Sequence, residues 1–444
     1  MLDVPAQTYR SNLAKAVTDG ELDVKWARLG LKNSYKMRMM MGLFDPSVDN
    51  PYKHITTDVV GSDAHLAMSL ESAKAGMTLL KNGPLPLSVG KTIAVIGQSV
   101  SDTNALTGNY DGPLCPHGGA FCFPSLGEAI TTANKGGTTT VVAGVADIAK
   151  AVAAAKAADA VVLAVDNFKD GGGEGTDRNT IGLNGPQTAL AKAVLAANKN
   201  AVLVTINGGL ISIDDLKESA PAILNAGMPG VQGGTAIAAT IFGENNPGGK
   251  LPVTMYHSSY INDVDFLNMS MINGVGRSYK YYTGTPLFPF GYGLSYTEFD
   301  VKWATPPPAL ATVGATSDSA TTYKVTVKNT GTVAGDEVVL AYTKPKAATL
   351  RASLGESVPI EQKKLFGFQR VSLAAGASAT VSFELAPAHL AMVDEDGHTG
   401  LHRGEFEIVF SRGHGEELVA QAKVELSPNE DGEAARLKTF RKWW

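Results

Sequence analysis

The residues best suited to chemistry in this chain lie in one glycine-rich stretch, Gly171-Gly-Gly-Glu-Gly-Thr-Asp-Arg178, where Glu174, Asp177 and Arg178 stand close together. A carboxyl group on such a loop can give or take a proton beside a bound ligand. Three consecutive glycines, Gly171 to Gly173, let the backbone approach that ligand or move over it. No second carboxylate in a catalytic context accompanies Glu174, so the stretch reads as half of an active site. A solvated loop kept soluble by its acidic residues is the competing reading. Phosphate binding fits poorly, because the lysine and hydroxyl of a P-loop are missing and the glycines do not follow the dinucleotide fingerprint.

The elements that must position this stretch are legible on both sides of it. Ala160-Val-Val-Leu-Ala-Val165 is a continuous apolar run of the kind that forms a strand buried on both faces, and Gln187 to Asn198 is rich in Ala and Leu and reads as a helix. Glu174 therefore lies on a loop leaving the carboxyl end of a strand, where open α/β sheets gather their ligands. Tyr9 to Gly20 and Leu22 to Leu43 read as two further helices, the second ended at Pro46. Asp63 reads as the N-cap of a helix running from Ala64 through Leu80, with Asn82-Gly-Pro84 as its stop. Strands at Thr92 to Ile96, Thr140 to Ala143, Ala201 to Ile206 and Ala222 to Asn225 then alternate with helices at Ala146 to Ala158 and Gly233 to Phe242. That alternation predicts an α/β sandwich, a parallel-rich sheet with helices on both faces. The turn Asn207-Gly208-Gly209 reads as tight and without chemistry.

After Tyr256 the pattern changes to an irregular aromatic segment and a Pro-rich linker at Pro306 to Pro308. Short alternating strands at Tyr323 to Lys328, Glu337 to Tyr342, Ser378 to Leu385 and Glu405 to Phe410 predict an all-β sandwich. The expected boundaries are 1–52, 53–256, 257–308, 309–428 and a charged tail at 429–444.

Composition sets the outer limits. A chain of 444 residues, 44% hydrophobic and 18% charged, is long enough for two or three globular domains. Its net charge of -5, from 43 acidic and 38 basic residues, comes without a basic stripe interleaved with aromatics, which argues against nucleic acid and for a neutral ligand. No apolar stretch reaches bilayer-spanning length, and Asp3 and Arg10 break any signal-peptide core. Cys115 and Cys122 lie in one loop, where a local staple and two free thiols are both open. The eight histidines show no metal spacing; His65, His117 and His257 read as capping or surface residues, and neither metal nor cofactor is expected.

Several motifs in this order resemble glycoside hydrolase family 3, the β-glucosidase and β-xylosidase family. They are Leu79-Leu-Lys-Asn82 with Pro86-Leu87; Gly108-Asn-Tyr-Asp-Gly112, similar to a loop of the β-xylosidase branch; Gly227-Met-Pro-Gly230 through Gly243-Glu-Asn-Asn-Pro-Gly-Gly-Lys-Leu-Pro252; and Tyr281-Tyr-Thr-Gly284 through Phe290-Gly-Tyr-Gly-Leu-Ser-Tyr296. Asn329-Thr-Gly331, Gly335-Asp-Glu-Val-Val339, Gly367-Phe-Gln-Arg-Val371 and Val393-Asp-Glu-Asp-Gly397 resemble the family's fibronectin type III-like module. The resemblance covers the family's C-terminal two-thirds.

The resemblance implies that Glu174 is the general acid/base of a retaining glycosidase, with Asp177 and Arg178 beside it in the substrate cleft. A retaining glycosidase needs a second carboxylate about 5 Å away as nucleophile. In the family it is an Asp of an N-terminal (β/α)8 barrel; here Met1-Leu-Asp-Val resembles the barrel's final strand and Tyr9 to Pro46 its last helices, a remnant without the nucleophile. Ser62-Asp63 resembles a nucleophile motif superficially but reads as a cap. Asp166 and Asn167 could meet a sugar hydroxyl, with local capping as the alternative. Asn109 and Tyr110 could border the cleft by stacking on a sugar, with a packed turn as the alternative; this loop tilts the substrate toward xylosides. The helices at Tyr9 to Leu43 would carry apolar faces made for a barrel, so a companion chain or self-association through residues 1–45 is expected. The family also implies an extracellular or secretory compartment. Two function classes stand: the acid/base part of a β-glycosidase, and a non-catalytic carbohydrate-binding or assembly subunit.

Overall fold

The computed structural model describes residues 6–46, 50–108, 123–168, 178–314 and 320–426. Glu174, Asp177, Asn109, Tyr110, His117, both cysteines and the tail lie outside the described residues. The chain divides into two compact units, Met1–His65 and Leu66–Trp444. The first unit contains α1 (Ala6–Thr18) and α2 (Val24–Met40), with Asp23 capping α2 through a hydrogen bond from the Lys25 N–H. No residue of α2 is buried, and Trp26, Leu31, Met37 and Met40 are exposed apolar side chains. Helix α3 (Asp63–Gly76) is capped by the Ser62 hydroxyl, which accepts the His65 N–H at 3.4 Å. The cap expected at Asp63 thus belongs to Ser62. The helix also stops at Gly76 instead of reaching Leu80. Thr78–Lys81 becomes strand β1, because Leu79 and Leu80 are buried on opposite faces by pairing antiparallel to the sheet edge.

The second unit begins its sheet there. β2 (Thr92–Gly97), β3 (Thr138–Ala143), β4 (Ala160–Asp166), β5 (Ala201–Ile206) and β6 (Ala222–Gly227) join β1 in the order β1-β6-β5-β4-β2-β3. All neighbours are parallel except β1 with β6. All seven residues of β4 are buried, as its unbroken apolar run predicts. Alternate residues feed two cores. Ile93, Val95, Val162, Ala164, Val202 and Val204 pack with Leu126 and Ile130 of α5 (Leu126–Ala133) and Ile237 of α9 (Gly233–Ile241). Ala94, Ile96, Val161, Leu163 and Leu203 pack with Ala151 of α6 (Ile148–Ala157) and Leu190 and Val194 of α7 (Gly185–Ala197). The short helices α4 (Asn104–Thr107) and α8 (Asp214–Lys217) complete the layer. This is the two-faced α/β sandwich that the alternation predicts.

The sandwich that follows has two principal sheets. One runs β11-β10-β15-β16-β8, from Lys364–Leu373, Gly335–Pro345, Gly404–Ser411, Leu418–Val424 and Ala311–Val313; the other runs β12-β9-β7, from Ser378–Leu385, Thr321–Asn329 and Phe299–Trp303. Strand β7 falls inside the stretch read as irregular linker. It pairs with β9 from Phe299↔Asn329 to Trp303↔Val325, so the sandwich starts before the prolines. The two-residue strands β13 (Met392–Val393) and β14 (Thr399–Gly400) make a separate hairpin. Among the described residues no helix is long and apolar enough to cross a membrane.

Candidate active site

The chemistry-bearing stretches root at the carboxyl edge of the parallel sheet. β4 ends at Asp166, whose backbone is held by a buried amide: the Asp166 N–H donates to Gln187 Oε1 at 3.1 Å, and Gln187 Nε2 donates to the Asp166 carbonyl at 2.8 Å. The side chain of Asp166 is itself buried, and its Oδ1 accepts the Phe168 N–H at 3.1 Å, a local cap of the strand exit. Asn167 reaches across to the end of β5. Its Nδ2 donates to the Gly209 carbonyl at 3.2 Å, and its Oδ1 accepts the Gly208 N–H at 3.3 Å.

Arg178 donates through a guanidinium nitrogen to the Leu210 carbonyl at 3.4 Å. The described residues flanking the Glu174 stretch, Asn167 and Arg178, are therefore both bonded to one short turn, Gly208 to Leu210. A third root converges there. Met228 follows β6, and its side chain lies so close to Gly108 and Gly208 that a Cβ would come within 2.6 Å of its Sδ at Gly108 and 2.7 Å of its Cε at Gly208. Gly108, with φ +84°, leads directly into Asn109 and Tyr110. The structure thus brings together the roots of both loops that the sequence singles out, around a turn read as having no chemistry. Gln187 and Met228, which helical and motif patterns absorb as core and turn residues, carry no sequence signal for these roles.

Electrostatics at this edge leave room for a polar ligand. Among the described residues, Gln98 Nε2, Ser99 Oγ and Asn207 Oδ1 are buried without a hydrogen-bond partner. Gln98 and Ser99 follow β2 and Asn207 follows β5, the two neighbours of β4. An unpaired buried polar atom costs roughly 1–3 kcal/mol, so a water or ligand hydroxyl meeting one of them would stabilise the edge. Next to the Arg178 side, a cavity of about 190 Å³ is lined by Thr180, Thr188, Ser212, Asp214 and Ser258. Burial pushes the Asp214 carboxyl up, but the Ser258 N–H at 2.8 Å and the His257 ring, paired through Nδ1, outweigh it and hold Asp214 below its usual range. His257 thus belongs to a local side-chain pair with Asp214.

In the sandwich, Asp394, Asp396 and His398 bring one ligand-capable atom each within 4.8 Å of one another, a proximity that histidine spacing alone does not show. The cluster is exposed, and Asp394 is occupied as a turn cap. The His398 N–H at 2.8 Å, together with that of Asp396 at 3.0 Å, holds its carboxyl below the usual range.

Comparison with known proteins gives this geometry a family. The profile of the glycosyl hydrolase family 3 C-terminal domain matches residues 77–296, and that of the fibronectin type III-like domain matches residues 337–413. "Beta-D-xylosidase 1" of Arabidopsis thaliana is 35% identical over 431 residues, covering 88% of this chain and 54% of the relative. "Beta-xylosidase" of Formosa agariphila is 33% identical over 423 residues, covering 91% of this chain and 56% of the relative. A solved GH3 exo-beta-xylosidase (XlnD), in complex with a xylobiose aziridine activity-based probe, superposes with TM-score 0.82 at 27% identity, covering 94% of this chain and 56% of that one. The chain spans about half the length of the curated relatives it matches. With the α/β sandwich and the β-sandwich in the same order as the two matched domains, the chain belongs to glycoside hydrolase family 3, in its C-terminal portion.

Proposed function

We propose that this chain contributes the acid/base half of a retaining β-glycosidase acting on β-linked xylosides, with Glu174 protonating the leaving oxygen. The observation that carries the reading is the shared anchorage of the Glu174 and Asn109 loop roots on the Gly208–Leu210 turn, at the ligand-binding edge of the sheet. That these relatives are named as xylosidases supports a xyloside reading over a glucoside one. Asp177, Arg178, Asn109 and Tyr110 border the sugar in this reading, and Asp166 holds the strand exit. The aspartate nucleophile comes from a (β/α)8 barrel, supplied by further polypeptide or by a companion chain. The exposed apolar residues of α2, and a second exposed apolar loop at Phe266, Leu267 and Met269, fit such a partner.

The test is Glu174→Gln in an assembly that includes a barrel. Turnover of xylobiose, whose leaving group needs protonation, should fall by about 10²–10⁴-fold, and that of activated aryl xylosides far less. Equal, modest losses on both substrates count against the acid role. Unchanged turnover on both would favour the second reading, a non-catalytic carbohydrate-binding or assembly subunit.

A further inference from the structure

Between the α/β sandwich and the β-sandwich lies a group of charges that the glycosidase reading does not use. Lys250, in the Gly-rich segment after α9, is nearly buried; its Nζ lies 2.7 Å from Glu337 Oε1 and donates to the Gly293 carbonyl at 2.7 Å. Glu337, on β10, is 3% exposed and also accepts the Val338 N–H at 2.8 Å. Its second oxygen stands 3.4 Å from Arg412, which follows β15. Burial lowers the Lys250 ammonium, opposed by the Glu337 carboxylate.

The half-buried ring of His414 completes the group, edge-on to Tyr292 at 5.8 Å between centroids. The backbones meet just as closely. A Cβ at Gly413 would overlap the Gly291 carbonyl, and one at Gly248 would come within 2.8 Å of the Asp336 Cβ. Around this contact Asp336 pairs with Arg370 at 2.7 Å, and Arg370 donates to the Ala75 carbonyl at 3.1 Å.

One carboxylate thus neutralises two nearly buried cations held by different modules. Removing it leaves both uncompensated, which is far costlier than losing an exposed pair. His414 stands two residues after Arg412, and its ring packs on Tyr292, whose neighbour Gly293 accepts a hydrogen bond from the Lys250 ammonium; the charges acting on it are Lys250 from the α/β side and Arg412 and Glu337 from the sandwich. A proton on His414 adds a third cation to a site with one anion.

We propose that Lys250, Glu337 and Arg412 form a buried ionic lock that makes the α/β sandwich and the β-sandwich one cooperative folding unit, and that His414 opens this lock in acid. Burial, Lys250 and Arg412 push the imidazole down to about 4. The folded state therefore resists a proton that the unfolded chain takes up near its usual value of about 6.5. The stabilisation is complete above that value and is lost as pH falls from there toward about 4. The proposal is independent of which glycoside, if any, is cleaved.

Hydrogen exchange of the full chain in a urea series, read separately for β4–β5 and β10–β15, tests both parts. At pH 7 both pairs should lose protection together. Glu337→Gln should split the transitions, and Arg412→Gln, removing the outer and longer contact, should split them less. Between pH 7 and pH 5 the wild-type unfolding equilibrium should shift toward unfolding by up to about tenfold through His414, after allowing for its partial solvent access. His414→Gln should keep the pH 7 midpoint and lose that part of the acid shift. Separate transitions in the wild type at pH 7, or transitions that stay coincident in both lock variants, overturn the lock; an unchanged acid shift in His414→Gln overturns the acid trigger. A Glu337→Gln chain that does not fold leaves the decision to Arg412→Gln and His414→Gln.

Discussion

Glu174 is proposed as the acid from its type and its glycine neighbours, whereas the residue that fastens the strand exit before it carries no such signal. Asn167 makes its two bonds with Gly208 and Gly209, 41 and 42 positions away, and no local pattern reports such a partner. The capping alternative for Asp166 has a direct counterpart in the Phe168 bond, while Asn167, read with it as a strand-end residue, serves as a tie across the sheet edge. Asn167→Ala removes two hydrogen bonds, a loss of about 1–2 kcal/mol confined to the loop root. We expect its thermal midpoint to move little and amide exchange at Phe168 and Gly208 to accelerate several-fold; unchanged exchange there would mean that the tie does not hold the strand exit. Met228 is a milder case. Gly208→Ala meets only the flexible end of that side chain, so folding should be retained while Met228 shifts away from Gly108.

At the scale of elements, the period of the apolar pattern decided most of the architecture. The unbroken run of β4 and the alternating strands of the sandwich read correctly because burial on two faces or on one dictates those patterns. Strand β1 was hidden, since Leu79 and Leu80 continue a helical spacing and only the neighbouring β6 turns them into an edge strand. Likewise β7 has a strand's composition but sits among loop-like neighbours, and its pairing with β9 defines it. Sheet closure also makes demands that composition does not announce. At Gly97 a Cβ would overlap the Ala164 carbonyl on the adjacent β4, and neither backbone can yield. Gly97→Ala should therefore cost more than about 3 kcal/mol, seen as a large drop in the urea midpoint. Gly136→Ala, at a turn with open space but φ +76°, should cost only about 1 kcal/mol through backbone strain.

At the scale of the whole molecule, the second unit exposes an apolar loop. Part of its backbone is bonded internally: the Asp265 N–H donates to Asn273 at 2.7 Å, and one terminal nitrogen of the Arg277 guanidinium donates to the Asp265 and Asn268 carbonyls at 2.6 and 2.8 Å. Phe266, Leu267 and Met269 are left 84–88% exposed. Because these side chains touch little, Phe266→Ser with Met269→Ser should leave the melting temperature within about 1 °C and reduce binding of a hydrophobic dye and any self-association. A large loss of stability would instead mean that the loop packs inward.

What the sequence determined by itself was the order of modules and the family, because apolar periodicity, turn residues and motif order are local properties. What only the tertiary structure decided was which distant residues share a place: Asn167 and Arg178 on the Gly208–Leu210 turn, Met228 between two glycines, Glu337 between Lys250 and Arg412. Each of these contacts joins segments far apart in the chain, and its energy exists only once the sheet and sandwich have brought the backbones together.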